Sequence, residues 1–243
     1  IPILKGILLR VNEDGTLTMS ASDLDLGIEK TFEVDNSEKG EIVVQAKLFG
    51  DIIRKLPNDI ITLEDEEGNV IIRCSNSEFN IVGWPSDEFP KLNSKEEHES
   101  KILFEKEILK DMIRKTSFSA SIDESRGVIT GILVEIKEKT LNMVALDGFR
   151  MAISRQAIRN DREENIIIPA KTFNKIAKII SETENDDEKG TVDLYISDKR
   201  AVFIIEDTKV FLRLLEGEFV RYEDILPKDS QTSVVLNKND FLD

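Results

Sequence analysis

Ile42-Val-Val-Gln-Ala46-Lys47-Leu-Phe49-Gly-Asp-Ile52-Ile-Arg54-Lys-Leu56 and Ile166-Ile-Ile-Pro-Ala170-Lys171-Thr-Phe173-Asn-Lys-Ile176-Ala-Lys178-Ile-Ile180 lie 124 residues apart and agree at five of fifteen positions. Ordinary residue usage gives about one such agreement. The same offset sets Leu17-Thr-Met19-Ser-Ala21-Ser-Asp23 over Leu141-Asn-Met143-Val-Ala145-Leu-Asp147, and one residue of slippage adds Gly6-Ile-Leu8 over Gly131-Ile-Leu133. Three blocks in one order indicate a duplicated unit. So long a period excludes a solenoid, so each copy should bury its own core.

The second copy opens with Ile102-Leu-Phe104-Glu-Lys106-Glu-Ile108-Leu109, which has no counterpart before the first. Val234-Val-Leu236-Asn-Lys238-Asn-Asp240-Phe241-Leu242 imitates that opening. The chain therefore reads as part of a three-unit protein, cut inside its first and third units. The expected division is 1–92, a polar linker at 93–100 that includes His98, a second unit at 101–228, and the start of a third at 229–243. Within each unit the pattern is rich in strands. Hairpins are expected at Ile7–Val11 with Leu17–Ala21 and at Ile132–Ile136 with Leu141–Ala145, with turns at Asn12–Gly15 and Lys137–Thr140. Further strands are expected at Ile60–Leu63, Val70–Cys74, Phe79–Val82, Val192–Ile196, Ala201–Ile205 and Val210–Leu214, and helices at about 47–56, 105–117 and 171–181.

The chain has 243 residues, 33 basic against 48 acidic side chains, and a formal net charge of −15. Forty per cent hydrophobic residues is the composition of a soluble globular chain rather than a disordered one. No apolar run reaches the roughly 20 residues a membrane helix needs, so no membrane partner is expected. One cysteine, Cys74, and one histidine, His98, leave no Cys/His zinc site and no Ser–His or Cys–His dyad. The single cysteine suits a cytoplasmic setting. No cofactor and no metal is implied.

An acidic chain binds nucleic acid only if its bases are gathered locally. On helix 105–117, Ile108, Leu109, Met112 and Ile113 share one face, and Lys106, Lys110 and Arg114 step by four along the other. On helix 171–181, Phe173, Ile176, Ala177 and Ile180 oppose Lys171, Lys175 and Lys178. The first unit carries a weaker version with Lys47, Arg54 and Lys55. Acids collect in loops, at Asp65–Glu67 and from Glu182 to Glu188. Such stripes read either as solvated faces of amphipathic helices or as a surface for sequence-blind phosphate contact.

These residues resemble a known family, the bacterial sliding clamp, which is the beta subunit of the DNA polymerase III holoenzyme. The resemblance covers essentially the whole chain. It rests on Pro2-Ile-Leu-Lys-Gly6-Ile7, Ser22-Asp23-Leu24-Asp25-Leu26-Gly27-Ile28 and Phe118-Ser-Ala-Ser-Ile-Asp-Glu-Ser-Arg126-Gly-Val-Ile-Thr-Gly131. It continues in Val144-Ala-Leu146-Asp147-Gly148-Phe149-Arg150-Met151-Ala152, Leu214-Leu-Glu-Gly217-Glu-Phe219, Tyr222 and Ile225-Leu-Pro227. It implies an α+β DNA-clamp fold of duplicated domains, antiparallel sheets outside and helices on the inner, channel face. It implies a homodimeric ring closed head to tail around double-stranded DNA without regard to sequence, and a processivity role. It also implies a hydrophobic groove for short linear peptides of the replicative polymerase, the clamp loader and repair proteins. Carried over, the groove comprises Ile129, Leu146, Gly148, Phe149, Arg150, Met151, Val220, Asp224 and Ile225. The DNA-facing set comprises Lys47, Arg54, Lys106, Lys110, Arg114, Arg126, Lys171, Lys175 and Lys178. A non-catalytic accessory subunit is implied.

Two other readings stay open at this level. An interaction scaffold of duplicated domains without DNA encirclement fits the same repeat. Asp23, Asp25 or Asp147 could be proposed as a general acid or metal ligand, although no second carboxylate motif recurs at suitable spacing. Gly148 could equally be a plain turn residue, with Phe149 and Met151 in the core.

Overall fold

The computed structural model describes residues 2–35, 38–92, 100–158, 163–183, 190–227, 229 and 231–241. The expected linker, apart from Ser100, and the acids at 184–188 lie outside the described residues.

In the first half, strands β1 (Gly6–Val11), β2 (Thr16–Ser22), β3 (Leu26–Glu33) and β4 (Gly40–Gln45) lead into helix α1 (Ala46–Ile53), followed by β5 (Ile61–Glu66), β6 (Asn69–Cys74) and β7 (Ser77–Trp84). The second half begins with β8 (Ser100–Glu105) and α2 (Lys106–Thr116). Strands β9 (Gly131–Lys137), β10 (Thr140–Leu146), β11 (Met151–Ala157) and β12 (Glu164–Pro169) lead into α3 (Ala170–Glu182). Strands β13 (Thr191–Ile196), β14 (Arg200–Ile205) and β15 (Thr208–Arg213) and the short helix α4 (Tyr222–Ile225) complete it.

The hairpins form as the alternation requires, with β1 on β2 and β9 on β10. Helix α1 stops at Ile53, short of the expected 56. Pro57 disfavours helical backbone at the residue before it, and Leu56 closes the turn through its N–H to Ile52. The stretch expected to be helical from 105 is a strand through Glu105. Ser100–Glu105 alternates strictly between buried and exposed, the period of a strand, before the helix takes over.

The duplication is visible in the topology. One four-stranded order, β4-β1-β2-β3, recurs as β12-β9-β10-β11, and each copy feeds a helix from its β4 or β12 strand. At one seam β4 meets β7 through Val43↔Trp84, and at the corresponding place the Leu215 N–H donates to the Ile167 carbonyl. The halves are sewn together by β3 and β15, antiparallel from Thr208↔Lys30 to Leu212↔Leu26, which makes one eleven-stranded sheet from β5 to β8.

Each half has its own core. Phe49 and Ile52 of α1 pack with Leu9, Val44, Val70, Ile72 and Ile81. In the second half, Leu109, Met112 and Ile113 of α2 and Phe173, Ile176 and Ile180 of α3 share one larger cluster with the inward residues of both sheets. The outward residues of β9, β10 and β12, among them Leu133, Val144, Leu146 and Ile167, form a second layer under the segment after β15. This double coverage explains why those strands carry apolar residues on both faces.

Candidate peptide groove and cationic helix faces

The outer face of the β12-β9-β10-β11 sheet is built of cross-strand rows. Ile167, Leu133, Val144 and Ile153 make an apolar row, and two residues further along the strands Asn165, Glu135, Asn142 and Arg155 make a polar one. Gly131, Leu146 and Met151 lie on the other side of the apolar row. Gly131 has to be small, because a Cβ there would sit 2.6 Å from Ile167 Cγ2 and 2.7 Å from Leu215 Cδ1. Leu215, Phe219, Tyr222 and Leu226 then fold back over the sheet. Tyr222 is 4% exposed, and its phenol O–H donates to Glu135 Oε2 at 2.8 Å, on the polar row. Asn142 Nδ2 donates to the same oxygen at 2.9 Å. Burial first, then Glu135, pushes the Tyr222 phenol well above its ordinary range.

The turn from β10 to β11 forms the adjoining rim. Asp147 Oδ1 accepts the N–H groups of Phe149 at 2.9 Å and Arg150 at 3.1 Å, and Arg150 Nε reaches Asp147 Oδ2 at 2.9 Å. The turn needs left-handed backbone at Gly148, φ 92°. Phe149 is thrown outward, 97% exposed, which excludes the core reading for it. The Arg150 guanidinium lies 5.9 Å from the Phe118 ring centroid, over a phenyl that is itself 58% exposed. Leu146 is buried beneath the rim. Ile129 and Met151 are partly buried against the same layer, and Val220 and Ile225, in the segment that covers it, are exposed. Asp224 is exposed on α4.

The Phe149 and Arg150 N–H groups are the main cause of an Asp147 carboxyl held below the usual range, followed by the Arg150 side chain. A pKa depressed on folding stabilises the turn above the ordinary aspartate range and loses that contribution as pH falls through the folded value. The Phe149 and Arg150 amide resonances are therefore expected to stay unchanged down to about pH 4 and to move only below it. A midpoint at or above that pH would contradict this account.

Arg126, expected to face DNA, is fastened to this rim. Its Nη1 donates to the Asp147 carbonyl at 2.5 Å, and its Nη2 lies 3.1 Å from where a Gly148 Cβ would be. Lys106 leaves the cationic stripe altogether. As the first residue of α2, it sends its side chain past Gly190, which precedes β13, to pair with Glu206 after β14, and that side chain is only 7% exposed.

The remaining helix cations lie outside the buried cores. Helices α2 and α3 pack against each other and bury their apolar faces in one core, so their other faces look away from the sheets. Lys110, Arg114, Lys171, Lys175 and Lys178 lie on those faces. Acids accompany most of them: Glu107 by Lys110, Asp111 by Arg114 at 2.6 Å, Glu124 by Lys171, and Glu182 by Lys178 at 3.7 Å. Lys175 has no ion pair among the described residues. Lys47 on α1 is exposed, and Arg54 just after it pairs with Asp51 at 2.6 Å.

Residues 1–93 match the family described as DNA polymerase III beta subunit, N-terminal domain, and residues 104–220 match its central domain. The chain belongs to the DNA polymerase III beta subunit family. It is 33% identical over 253 residues to the beta sliding clamp of Bacillus subtilis and 34% identical over 256 residues to that of Halalkalibacterium halodurans, in each case across 100% of this chain and 65% of the relative. The crystal structure of the DNA polymerase sliding clamp from Bacillus subtilis superposes with a TM-score of 0.90 at 33% identity, over 100% of this chain and 65% of that one. A sliding clamp from Pseudomonas aeruginosa bound to griselimycin superposes at 0.87 with 25% identity, over 95% and 62%. The chain thus spans about 65% of the length of the curated clamps it matches. The α+β clamp fold expected from the sequence is the fold observed.

Sequence reasoning gives no role to Glu135, Leu215, Phe219 or Tyr222, which support the layer beneath the candidate groove. A signal was present: strands apolar on both faces require a cover, and Leu214–Leu226 is the segment with apolar residues to supply it.

Among the described residues no helix is long and apolar enough to cross a membrane.

Proposed function

We propose that this chain is part of a processivity clamp that encircles duplex DNA as a head-to-tail homodimeric ring and tethers replication and repair proteins through the groove around Gly148. The observation that carries the ring is the β3–β15 joint. The outer edge of β3 in the first half is completed by β15 of the second. By the repeat, β11 corresponds to β3 and β7 to β15. Among the described residues β11 pairs only with β10, and β7, paired with β6 on one edge, is joined on its other edge to β4 only through Gly83 and Trp84. Phe79 and Val82 on β7 are exposed, at 39% and 67%. Two open edges of complementary kind at opposite ends of a tandem array are what a closing heterologous contact needs. On this reading residues 229–243 begin a third unit after those at 1–92 and 101–228, joined by the linker at 93–100.

Inside the ring, Lys47, Arg54, Lys110, Arg114, Lys171, Lys175 and Lys178 would meet phosphates. Most already have a carboxylate neighbour and stand in solvent, so each contact is weak, screened within about 8 Å and indifferent to sequence. Retention by topology with weak contacts permits sliding. The groove offers Leu146 and Met151 below, exposed Phe149 and Arg150 on one rim, and Val220 and Ile225 on the other. That is a surface for short apolar peptides at about micromolar affinity. The role is non-catalytic and cytoplasmic.

The test is retention. The full-length protein, loaded on nicked circular duplex, should remain through gel filtration and be lost within minutes of a single linearising cut. Equal retention on the circle and on linear duplex would replace the ring with ordinary binding, and no retention on either would favour the scaffold reading.

A further inference from the structure

The turn that shapes the groove occurs twice. In the first half Asp23 Oδ1 accepts the N–H groups of Asp25 at 3.2 Å and Leu26 at 2.7 Å, as Asp147 does for Phe149 and Arg150. The residue after the aspartate is left-handed in both, Gly148 at φ 92° and Leu24 at φ 81°. A leucine in that conformation is strained, and Leu24 recovers nothing by burial, being 63% exposed. The opposite rim is duplicated as well. Phe89 packs on Leu8 and Val43 as Phe219 packs on their counterparts Leu133 and Ile167, which sets Pro90 where Val220 stands in the groove.

The two copies differ in what lies beside them. The first turn is carried into the joint, where the Arg213 N–H donates to the Asp25 carbonyl at 3.0 Å. The outer face of β14 and β15 therefore supplies a wall, and the result is an open cavity of about 380 Å³ between Leu24, Gly27, Pro90 and Leu92 on one side and Val202 and Phe211 on the other. Its mouth is cationic. Lys91, Lys199, Arg200 and Arg213 line it, against the carboxylate of Asp25 and that of Glu216, which Lys199 and Arg213 share at 3.1 and 3.2 Å. In a chain with a net charge of −15 this is a local reversal of sign.

We infer that this cavity at the joint of the two halves is a second docking site, for a linear peptide that presents a large apolar side chain next to carboxylates. The inference rests on reading the groove around Gly148 as a peptide site. The apolar side chain would lie against Leu24, Pro90 and Leu92. The carboxylates would meet the basic mouth, which discriminates against the uncharged peptides that the less cationic groove accepts.

The 243-residue chain, labelled with nitrogen-15 and titrated with Ac-Glu-Leu-Asp-Leu-Phe-NH2, should show saturable amide shifts at Leu24, Gly27 and Val202. Ac-Gln-Leu-Asn-Leu-Phe-NH2 should shift these at least about fivefold more weakly. Lys199→Glu should weaken the acidic peptide at these amides by a similar factor and leave shifts at Phe149 and Met151 unchanged. Leu24→Gly should weaken it too while raising the melting temperature, because it relieves the left-handed strain; a purely structural Leu24 would not separate the two. Shifts confined to Phe149 and Met151 would overturn the second site and leave the groove standing. Shifts confined to the cavity would keep the second site and remove the groove. Equal shifts with inorganic phosphate alone would reduce the cavity to unspecific anion attraction and end the proposal.

Discussion

Replacing Tyr222 by alanine is expected to strip the peptide groove of one wall while the rest of the second half stays folded. The residue is 4% exposed and spans from the apolar row of the sheet to Glu135 on the polar row. Truncating a buried aromatic costs about 3–5 kcal/mol. Here the loss falls on the covering segment, because Tyr222 packs in the outer layer and not in the core that α2 and α3 share. Val220 and Ile225, which flank Tyr222 in the chain, lose their anchor to the sheet, so affinity for an apolar peptide should drop about tenfold or more, which is 1.4 kcal/mol or more. Tyr222→Phe keeps the ring and removes only the bond to the Glu135 carboxylate, worth about 1.5–3 kcal/mol. Glu135 would still accept from Asn142, so this variant should retain more of the affinity than the alanine one. Hydrogen exchange should rise across 214–226 in both variants and hardly change in α2 and α3. The raised phenol pKa gives a second check. A pKa raised on folding stabilises fully below the unfolded value and is lost as pH rises through the folded one, so the segment should stay docked throughout the ordinary range of tyrosine ionisation. If the alanine variant binds peptide like the parent, Val220 and Ile225 are not a wall.

Local pattern disclosed what depends on local pattern. The hairpins were legible because alternation and turn residues agree, and the two internal helices because Phe49 with Ile52, and Phe173 with Ile176 and Ile180, keep a helical period. Lys106 was misplaced because a four-residue step counts positions on an ideal helix. The first residue of α2 is not ideal; it leaves a strand, and its side chain runs against Gly190 toward Glu206. The β3–β15 joint left no trace in sequence, since edge-to-edge pairing between residues some 180 apart has no period to detect. Leu24 was quoted without any sign of strain, because leucine does not announce left-handed backbone as glycine does. Only its alignment with Gly148, together with its positive φ, exposes the shared turn. Arg126 faces DNA only by the family resemblance, and what fixes it here is the Asp147 backbone carbonyl, which no sequence pattern reveals.

Phe173→Ala should destabilise the molecule more than its repeat partner Phe49→Ala, and both halves should feel it. Phe173 is 1% exposed and meets Phe203 edge to face at 6.0 Å in a core that gathers two helices and two sheets. Its loss removes about 3–5 kcal/mol, a large part of a typical net stability of about 5–15 kcal/mol. Phe49, 5% exposed, sits in a smaller cluster against one helix, where the neighbours have more freedom to close the gap. Trp84, the only tryptophan, belongs to the first half and reports on it separately, whereas circular dichroism reports on the whole chain. Leu26 and Ile28 of β3 reach across the joint into the second half's core, beside the backbone ladder to β15. Collapse of that core therefore removes the support of β3, and the Trp84 transition in denaturant should move with the circular-dichroism transition in the Phe173→Ala variant. A Trp84 transition left at its original midpoint would mean the halves unfold independently. The joint would then be too weak to serve as the repeated contact of a closed ring, and the open edges of β7 and β11 would lose their claim to be its remaining ends.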